Sequence, residues 1–283
     1  MSIKTRKPRA IEKDSRALSF LYTTVPGRIV LRVLRAKWVS KAAGIFLDTR
    51  LSKPLIKPFV ENNNIDLGDY KSDGFTCFND CFCRKIKPGL REFDMRENAL
   101  CAPCDGLLSV YKINDGAVYP IKQSKYTIYS LLKNEALARE YKNGYMYVFR
   151  LCVNHYHRYH YPADGQKGEN IHINGTLHTV RPIALENTAV FCENSREYTV
   201  IDTENFGKIV QMEVGAMLVG KIHNLHGAKS IKKGEEKGMF LYGGSTVILI
   251  TKECATPDIC FLENTENGYE TAVKLGENIL SSM

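Results

Sequence analysis

Three short stretches of this chain carry residue types that together can make and break covalent bonds. The first is Gly243-Gly244-Ser245-Thr246, set between the apolar runs Met239-Phe240-Leu241-Tyr242 and Val247-Ile248-Leu249-Ile250. Two glycines followed by two hydroxyl residues between expected strands form a tight bend that sets a nucleophile beside flexible backbone. A bulge or a plain turn explains the same tetrapeptide, so its chemistry depends on a base and an orienting acid elsewhere. The second stretch, His155-Tyr156-His157-Arg158-Tyr159-His160-Tyr161-Pro162, gathers three of the seven histidines. Imidazole titrates near neutrality and moves protons both ways, which favours a general base or acid. Metal ligation and structural histidines are the alternatives. In an extended segment His155 and His157 share one face, and His160 joins them only across a turn. The third stretch is Cys104-Asp105-Gly106, a turn ahead of a strand. Its carboxylate could hold an imidazole tautomer or cap its own backbone.

These groups need a scaffold. Past Asp66 short apolar runs alternate with Gly, Asn, Asp and Pro turns: GLLSVYKI, YMYVFRLCV, HTVRPI, AVFCEN, REYTVIDT, KIVQMEVGAMLVGKI and GMFLYGGSTVILI. Their length and their Val, Ile and Tyr content predict strands. The segment from Ser124 to Lys142 predicts a helix among them. The expected fold class is α+β, a mainly β catalytic domain over residues 66–283 behind a helical, basic, amphipathic N-terminal region over residues 1–65.

The charge has an address. Of the formal +8 on the chain, +7 lies between Arg28 and Val60, where eight Lys and Arg residues face only Asp48. Arg28, Arg32 and Arg35 fall on one helical face, with Ile29, Val33 and Ala36 beside them and Trp38 widening the apolar side. Pro26-Gly27 suits a helix start, and Pro54 and Pro58 break a second short element. A helix packed on the core explains this pattern. So does docking on anionic lipid, with Trp38, Phe46 and Phe59 in the headgroup zone and the cations on phosphates. Nucleic acid is not expected, because no stacking platform or fingerprint accompanies the charge.

No run reaches the roughly 18–20 apolar residues of a membrane span, and the N-terminus has no continuous apolar core of a signal peptide. The nine cysteines are expected to be reduced. Cys77, Cys81, Cys83 and Cys101-Ala102-Pro103-Cys104 admit a zinc site, but the first group has no CxxC and Cys104 abuts Asp105, so no metal is expected. No GxGxxG or GxxxxGK[ST] phosphate loop is present.

Taken together, Cys104-Asp105-Gly106, Tyr156-His157-Arg158-Tyr159-His160-Tyr161-Pro162 and Gly243-Gly244-Ser245-Thr246 resemble the phosphatidylserine decarboxylase proenzymes. Val214-Gly215-Ala216-Met217-Leu218-Val219-Gly220 is similar to that family's glycine-bounded strand before the cleavage region, and the resemblance runs from about residue 15 nearly to the end. The family often has leucine where Gly243 stands; the Gly-Ser pair is intact. The resemblance implies that Ser245 attacks the Gly244 carbonyl, with His160 as base and Asp105 orienting it. Residues 1–244 and 245–283 would then remain as a tight heterodimer, and Ser245 would become a covalent pyruvoyl group. It further implies decarboxylation of phosphatidylserine to phosphatidylethanolamine, with His157 and His160 moving protons. The expected setting is peripheral, at the cytoplasmic face of the cell membrane, on anionic phospholipid, with a homo-oligomer left open. A pyruvoyl enzyme for a soluble amino acid and an unprocessed membrane-binding β protein are the rival readings.

Overall fold

The computed structural model describes residues 8–10, 24, 37–71, 74–121, 124–175, 194–215, 222–241 and 245–281. The expected helix over residues 28–36, the strands HTVRPI and most of AVFCEN, and residues 216–220, 243 and 244 lie outside the described residues.

Among the described residues the first elements are β1 (Pro8–Ala10), α1 (Lys37–Leu47), a 3-10 turn (Arg50–Leu55), α2 (Ile56–Asn62) and α3 (Phe78–Phe82). LSKPLIKPF is divided between the 3-10 turn, which contains Pro54, and α2, which holds Pro58 in its first turn, where a missing N–H leaves no intrahelical bond unmade. Then come β2 (Gly106–Lys112), β3 (Tyr119–Ile121), β4 (Ser124–Tyr126), α4 (Ile128–Leu132) and α5 (Glu135–Arg139). The single helix predicted over 124–142 is therefore a strand and two short helices. Thr127 and Ser130 form a reciprocal capping box that starts α4, Lys133 adopts φ 50°, and the Asn134 side chain caps α5. Local side-chain caps outcompeted helix continuation here.

The rest is strand-rich: β5 (Tyr145–Leu151), β6 (Arg158–His160), β7 (Gly165–Lys167), β8 (Ile171–Ile173), β9 (Arg196–Thr203) and β10 (Gly207–Val214). After these come β11 (Ile222–Asn224), β12 (Lys229–Ile231), β13 (Glu236–Phe240), β14 (Ser245–Thr251), α6 (Ile259–Glu266) and β15 (Tyr269–Val273). A ten-stranded sheet runs β1-β15-β2-β5-β14-β10-β9-β7-β12 with β8 added beside β9, and its pairs are antiparallel. A small sheet, β11-β13-β6, and the β3–β4 hairpin complete it.

Both faces of the central strands are covered, so these strands read as nearly continuous apolar runs. On one face Tyr147, Phe149, Leu151, Val247 and Leu249 pack with Tyr159 and Phe240 of the small sheet. On the other, Met146, Val148, Ile248, Ile250 and Met212 pack with Leu131 and Leu132 of α4. The helical N-terminal region adds a third cluster, in which Leu47, Phe78 and Phe82 meet Phe59, Met239 and Leu241. Buried Ser52 ties it together: its Oγ accepts the Phe78 N–H at 2.8 Å and donates to the Thr49 carbonyl at 2.7 Å. The helices therefore rest on Met239 of β13 and on Leu241 just after it.

Candidate active site

Ser245 is the first residue of β14, which lies between β5 and β10 in the middle of the large sheet. Its register partner is Leu151, so it faces the layer between the two sheets together with Val247 and Leu249. It is 2% exposed, and its hydroxyl has no hydrogen-bond partner among the described residues. A buried hydroxyl without a partner is uncommon and costs about 1–3 kcal/mol. It is one of ten such side-chain atoms among the described residues, and His157 Nε2, His160 Nδ1 and the neighbouring Thr246 Oγ1 are among the others.

Asp105 immediately precedes β2. Its carboxylate is held by Arg91, with Nε to Oδ1 at 2.9 Å and Nη2 to Oδ2 at 2.8 Å, and by the Leu275 N–H to Oδ1 at 2.9 Å. His160 ends β6, where its N–H donates to the Pro103 carbonyl at 2.8 Å, two residues from Asp105. Its ring lies near Phe93 and Tyr156, with centroids at 5.9 and 6.1 Å. Burial pushes the His160 pKa down to about 4, against the pull of the Glu236 carboxylate and, more weakly, of Asp105; Arg158 adds to the lowering. At neutral pH it is therefore an uncharged imidazole, the form that accepts a proton. The structure brings Asp105 and His160 together through the backbone, but no hydrogen bond joins their side chains, and none joins either to Ser245, among the described residues.

His157 is fully buried. Its Nδ1 lies 2.9 Å from the His155 carbonyl, its ring is 4.0 Å from that of Phe82, and burial with the nearby Arg84 charge lowers its pKa to about 3. The ladder between β6 and β13 sets His160 opposite Glu236, whereas the His157 carbonyl accepts the Phe240 N–H at 2.9 Å. Along β13, His157 is thus the histidine nearer to the strand's C-terminal end, at Phe240.

The two imidazoles make stability depend on acid. Each has an ordinary pKa of 6.5 when unfolded and a depressed one when folded, so between these values the unfolded chain binds more protons. Their contribution is complete above pH 6.5 and falls as the pH drops toward 4 and 3. Urea midpoints measured from pH 7 to pH 4.5 should fall steeply in the parent and less steeply in His157→Phe. Parallel profiles would remove His157 as a cause.

Sequence reasoning missed a polar group packed between the two sheets on the Ser245 side. Glu213 of β10 and Lys237 of β13 form an ion pair at 2.5 Å with both side chains at zero exposure. Asn224 accepts from Lys237 at 2.9 Å and donates to Glu197 at 2.6 Å. Burial raises the Glu213 pKa and lowers that of Lys237, while each partner's charge opposes the change. One signal was available: Gln211 and Glu213 occupy alternate positions among the apolar residues Ile209, Val210, Met212 and Val214. Glu213 stands opposite Val247, two residues along the strand from Ser245. Arg91 was missed as well, since no motif flags it.

Among the described residues, no three His, Cys, Asp or Glu side chains converge on a point that would hold a metal ion. Cys81, Cys83, Cys101 and Cys104 are buried free thiols. Burial pushes Cys81 and Cys101 up to about 11 and Cys83 up to about 12, which keeps these sulfurs protonated at neutral pH. Ser245 instead offers a buried hydroxyl that no described residue holds, directly after Gly243 and Gly244 in the sequence.

Comparison with known proteins gives the same direction. The family profile described as Phosphatidylserine decarboxylase matches residues 78–281. A relative from Clostridium acetobutylicum, named Phosphatidylserine decarboxylase proenzyme 2, is 46% identical over 93% of this chain and 90% of its own length. Phosphatidylserine decarboxylase proenzymes of Clostridium botulinum and Clostridium perfringens are 40% and 38% identical, covering 93% and 99% of this chain and 91% and 99% of theirs.

Proposed function

The chain belongs to the phosphatidylserine decarboxylase family, and from that premise we propose that it matures by cutting itself between Gly244 and Ser245 and then converts phosphatidylserine to phosphatidylethanolamine. The observation that carries the reading is the buried Ser245 hydroxyl, without a partner among the described residues, at the start of a central strand and directly after two glycines in the sequence. Ser245 Oγ attacks the Gly244 carbonyl carbon as His160 takes the hydroxyl proton. The C–N bond breaks and an ester to Oγ replaces the peptide, the freed amine collecting a proton. Loss of the α-proton of residue 245 expels the Gly244 carboxylate, leaving a dehydroalanine. Water then replaces its nitrogen, which departs as ammonia. Glycine at 244 leaves the carbonyl open to attack, since no Cβ crowds it.

The pyruvoyl group so formed supplies an electron sink for the carboxylate's electron pair, as pyridoxal phosphate does in other decarboxylases. The chain's residues do the rest. Two buried imidazoles that are uncharged at neutral pH, His157 and His160, support a reading in which one holds a proton and returns it, and Ser245 lies beside the packed residues Val247 and Leu249. The register of β13 favours a second assignment in which His157 is the base for the first attack. His160→Ala and His157→Ala separate the two: the variant that stays uncut has lost the base, and the one that cuts without decarboxylating has lost the later proton donor.

Mass spectrometry of purified protein tests the core of the proposal. Two chains meeting between 244 and 245, the smaller without a free amine, support it; a single intact chain under all conditions rules it out. Turnover of phosphatidylserine but not of free serine separates it from a soluble amino-acid decarboxylase.

A lipid substrate requires a membrane surface. Ile45, Phe46, Leu51 and Leu55 are exposed, Leu51 at 77%, beside exposed Arg50, Lys53 and Lys57. This is the pairing of apolar anchors and cations that suits an anionic interface. Each surface cation contributes about 1 kcal/mol there, so replacing all three with Gln should weaken sedimentation with phosphatidylserine vesicles about a hundred-fold at low salt. Leu51→Glu should weaken it further. Binding that is unchanged by both would remove this face as the docking surface.

A further inference from the structure

The geometry points to Arg91 as a positioning residue for self-processing: it clamps the Asp105 carboxylate in the plane and orientation that the His160 imidazole requires. The inference rests on the reading above, in which Asp105 orients the base.

An ionised carboxylate has about four acceptor positions. Arg91 Nε bridges both oxygens, at 2.9 Å to Oδ1 and 3.3 Å to Oδ2, Nη2 donates to Oδ2 at 2.8 Å, and the Leu275 N–H donates to Oδ1 at 2.9 Å. The nearby His160 Nδ1 is buried with no partner among the described residues. The fork is itself fixed. Its side chain is only 10% exposed, and Nη1 donates to the Leu90 carbonyl at 3.0 Å and lies 3.8 Å from Asp69. The same loop supplies Phe93, which lies against the His160 ring, while the His160 N–H is anchored to Pro103. Residues 90–93 thus set the acid with one side chain and wall the base with another. Lysine could neutralise Asp105 but could not fix its plane, because only guanidinium offers a rigid two-pronged donor. The clamp also spans the cut. Arg91 lies in the larger product and Leu275 in the smaller, so the carboxylate is held from both sides of the processed molecule.

The test follows the first-order conversion of uncut full-length protein into two chains, for the parent, Arg91→Met, Arg91→Lys, Asp105→Asn and the double variant Arg91→Met/Asp105→Asn. Circular dichroism and melting temperature are read alongside. Arg91→Met should slow processing about a hundred-fold, the effect of misplacing a reacting group by an ångström. Arg91→Lys should fall between it and the parent. In the double variant, loss of Arg91 should add nothing to the defect of Asp105→Asn, because residues that act as one unit are not additive. Parental rates in folded Arg91→Met and Arg91→Lys with Asp105→Asn arrested overturn the role of Arg91 and leave the underlying reading intact. Additive defects overturn it too, as does loss of the fold in both Arg91 variants, which would make the clamp purely structural. A parental rate in Asp105→Asn instead removes the reading on which the inference stands.

Discussion

Replacing Ser245 with alanine leaves a single 283-residue chain that makes no phosphatidylethanolamine. The loss at the processing step should be on the order of 10⁶-fold, the scale seen when a serine nucleophile is deleted from a hydrolase, and is read as the absence of a second chain after days. The fold should survive. The hydroxyl is buried and has no partner among the described residues, and the strand around it is held on one side by β5 and on the other by β10. An intact melting transition in the uncut variant would separate a chemical defect from a folding one. Cleavage between Gly244 and residue 245 in the alanine protein would sink the serine mechanism outright.

The second large effect concerns the ion pair between the sheets. Lys237→Met strands the Glu213 carboxylate in an apolar layer where its Oε1 already has no partner. Breaking a buried pair from one side costs about 3–5 kcal/mol, a large part of the 5–15 kcal/mol by which domains are stable. Glu213→Leu/Lys237→Met removes both charges and should recover most of that loss, since burying two apolar side chains carries no comparable desolvation cost. Urea unfolding in the uncut Ser245→Ala background measures both, free of the complication of two chains. A Lys237→Met protein within about 1 kcal/mol of its parent would show that Asn224 and water compensate Glu213 fully.

The residues proposed as reagents were legible in the sequence because each sits in a motif: two glycines precede Ser245, His157 and His160 share six residues with His155, and Asp105 comes directly before a strand. The strands were legible too, since both faces of β5, β10 and β14 are covered and their runs are apolar throughout. What was hidden are partners far apart in sequence. Lys237 and Glu213 lie 24 residues apart and meet across two sheets. Arg91 reaches Asp105 from a loop with no periodicity to mark it. The register shift between Glu236 and Gly238 was also invisible. It lets Lys237 turn inward although Gly238 stands opposite Tyr159, where an added Cβ would lie 2.8 Å from the tyrosine hydroxyl. The split of the 124–142 segment was written in Thr127, Ser130 and Asn134, but capping residues announce a boundary only once the neighbouring turn is known.

The position of β14 between β5 and β10 has a consequence for the molecule's history. In the uncut chain the short link from β13 delivers β14 to its slot at a high effective concentration. With the proposed cut that link would be gone, and residues 245–283 would have to find the open sheet as a separate solute. The ladders to β5 and β10 would then hold the strand in place, and the product would persist because leaving is slow. Once denatured, such a two-chain protein would lack the covalent instruction by which it was assembled.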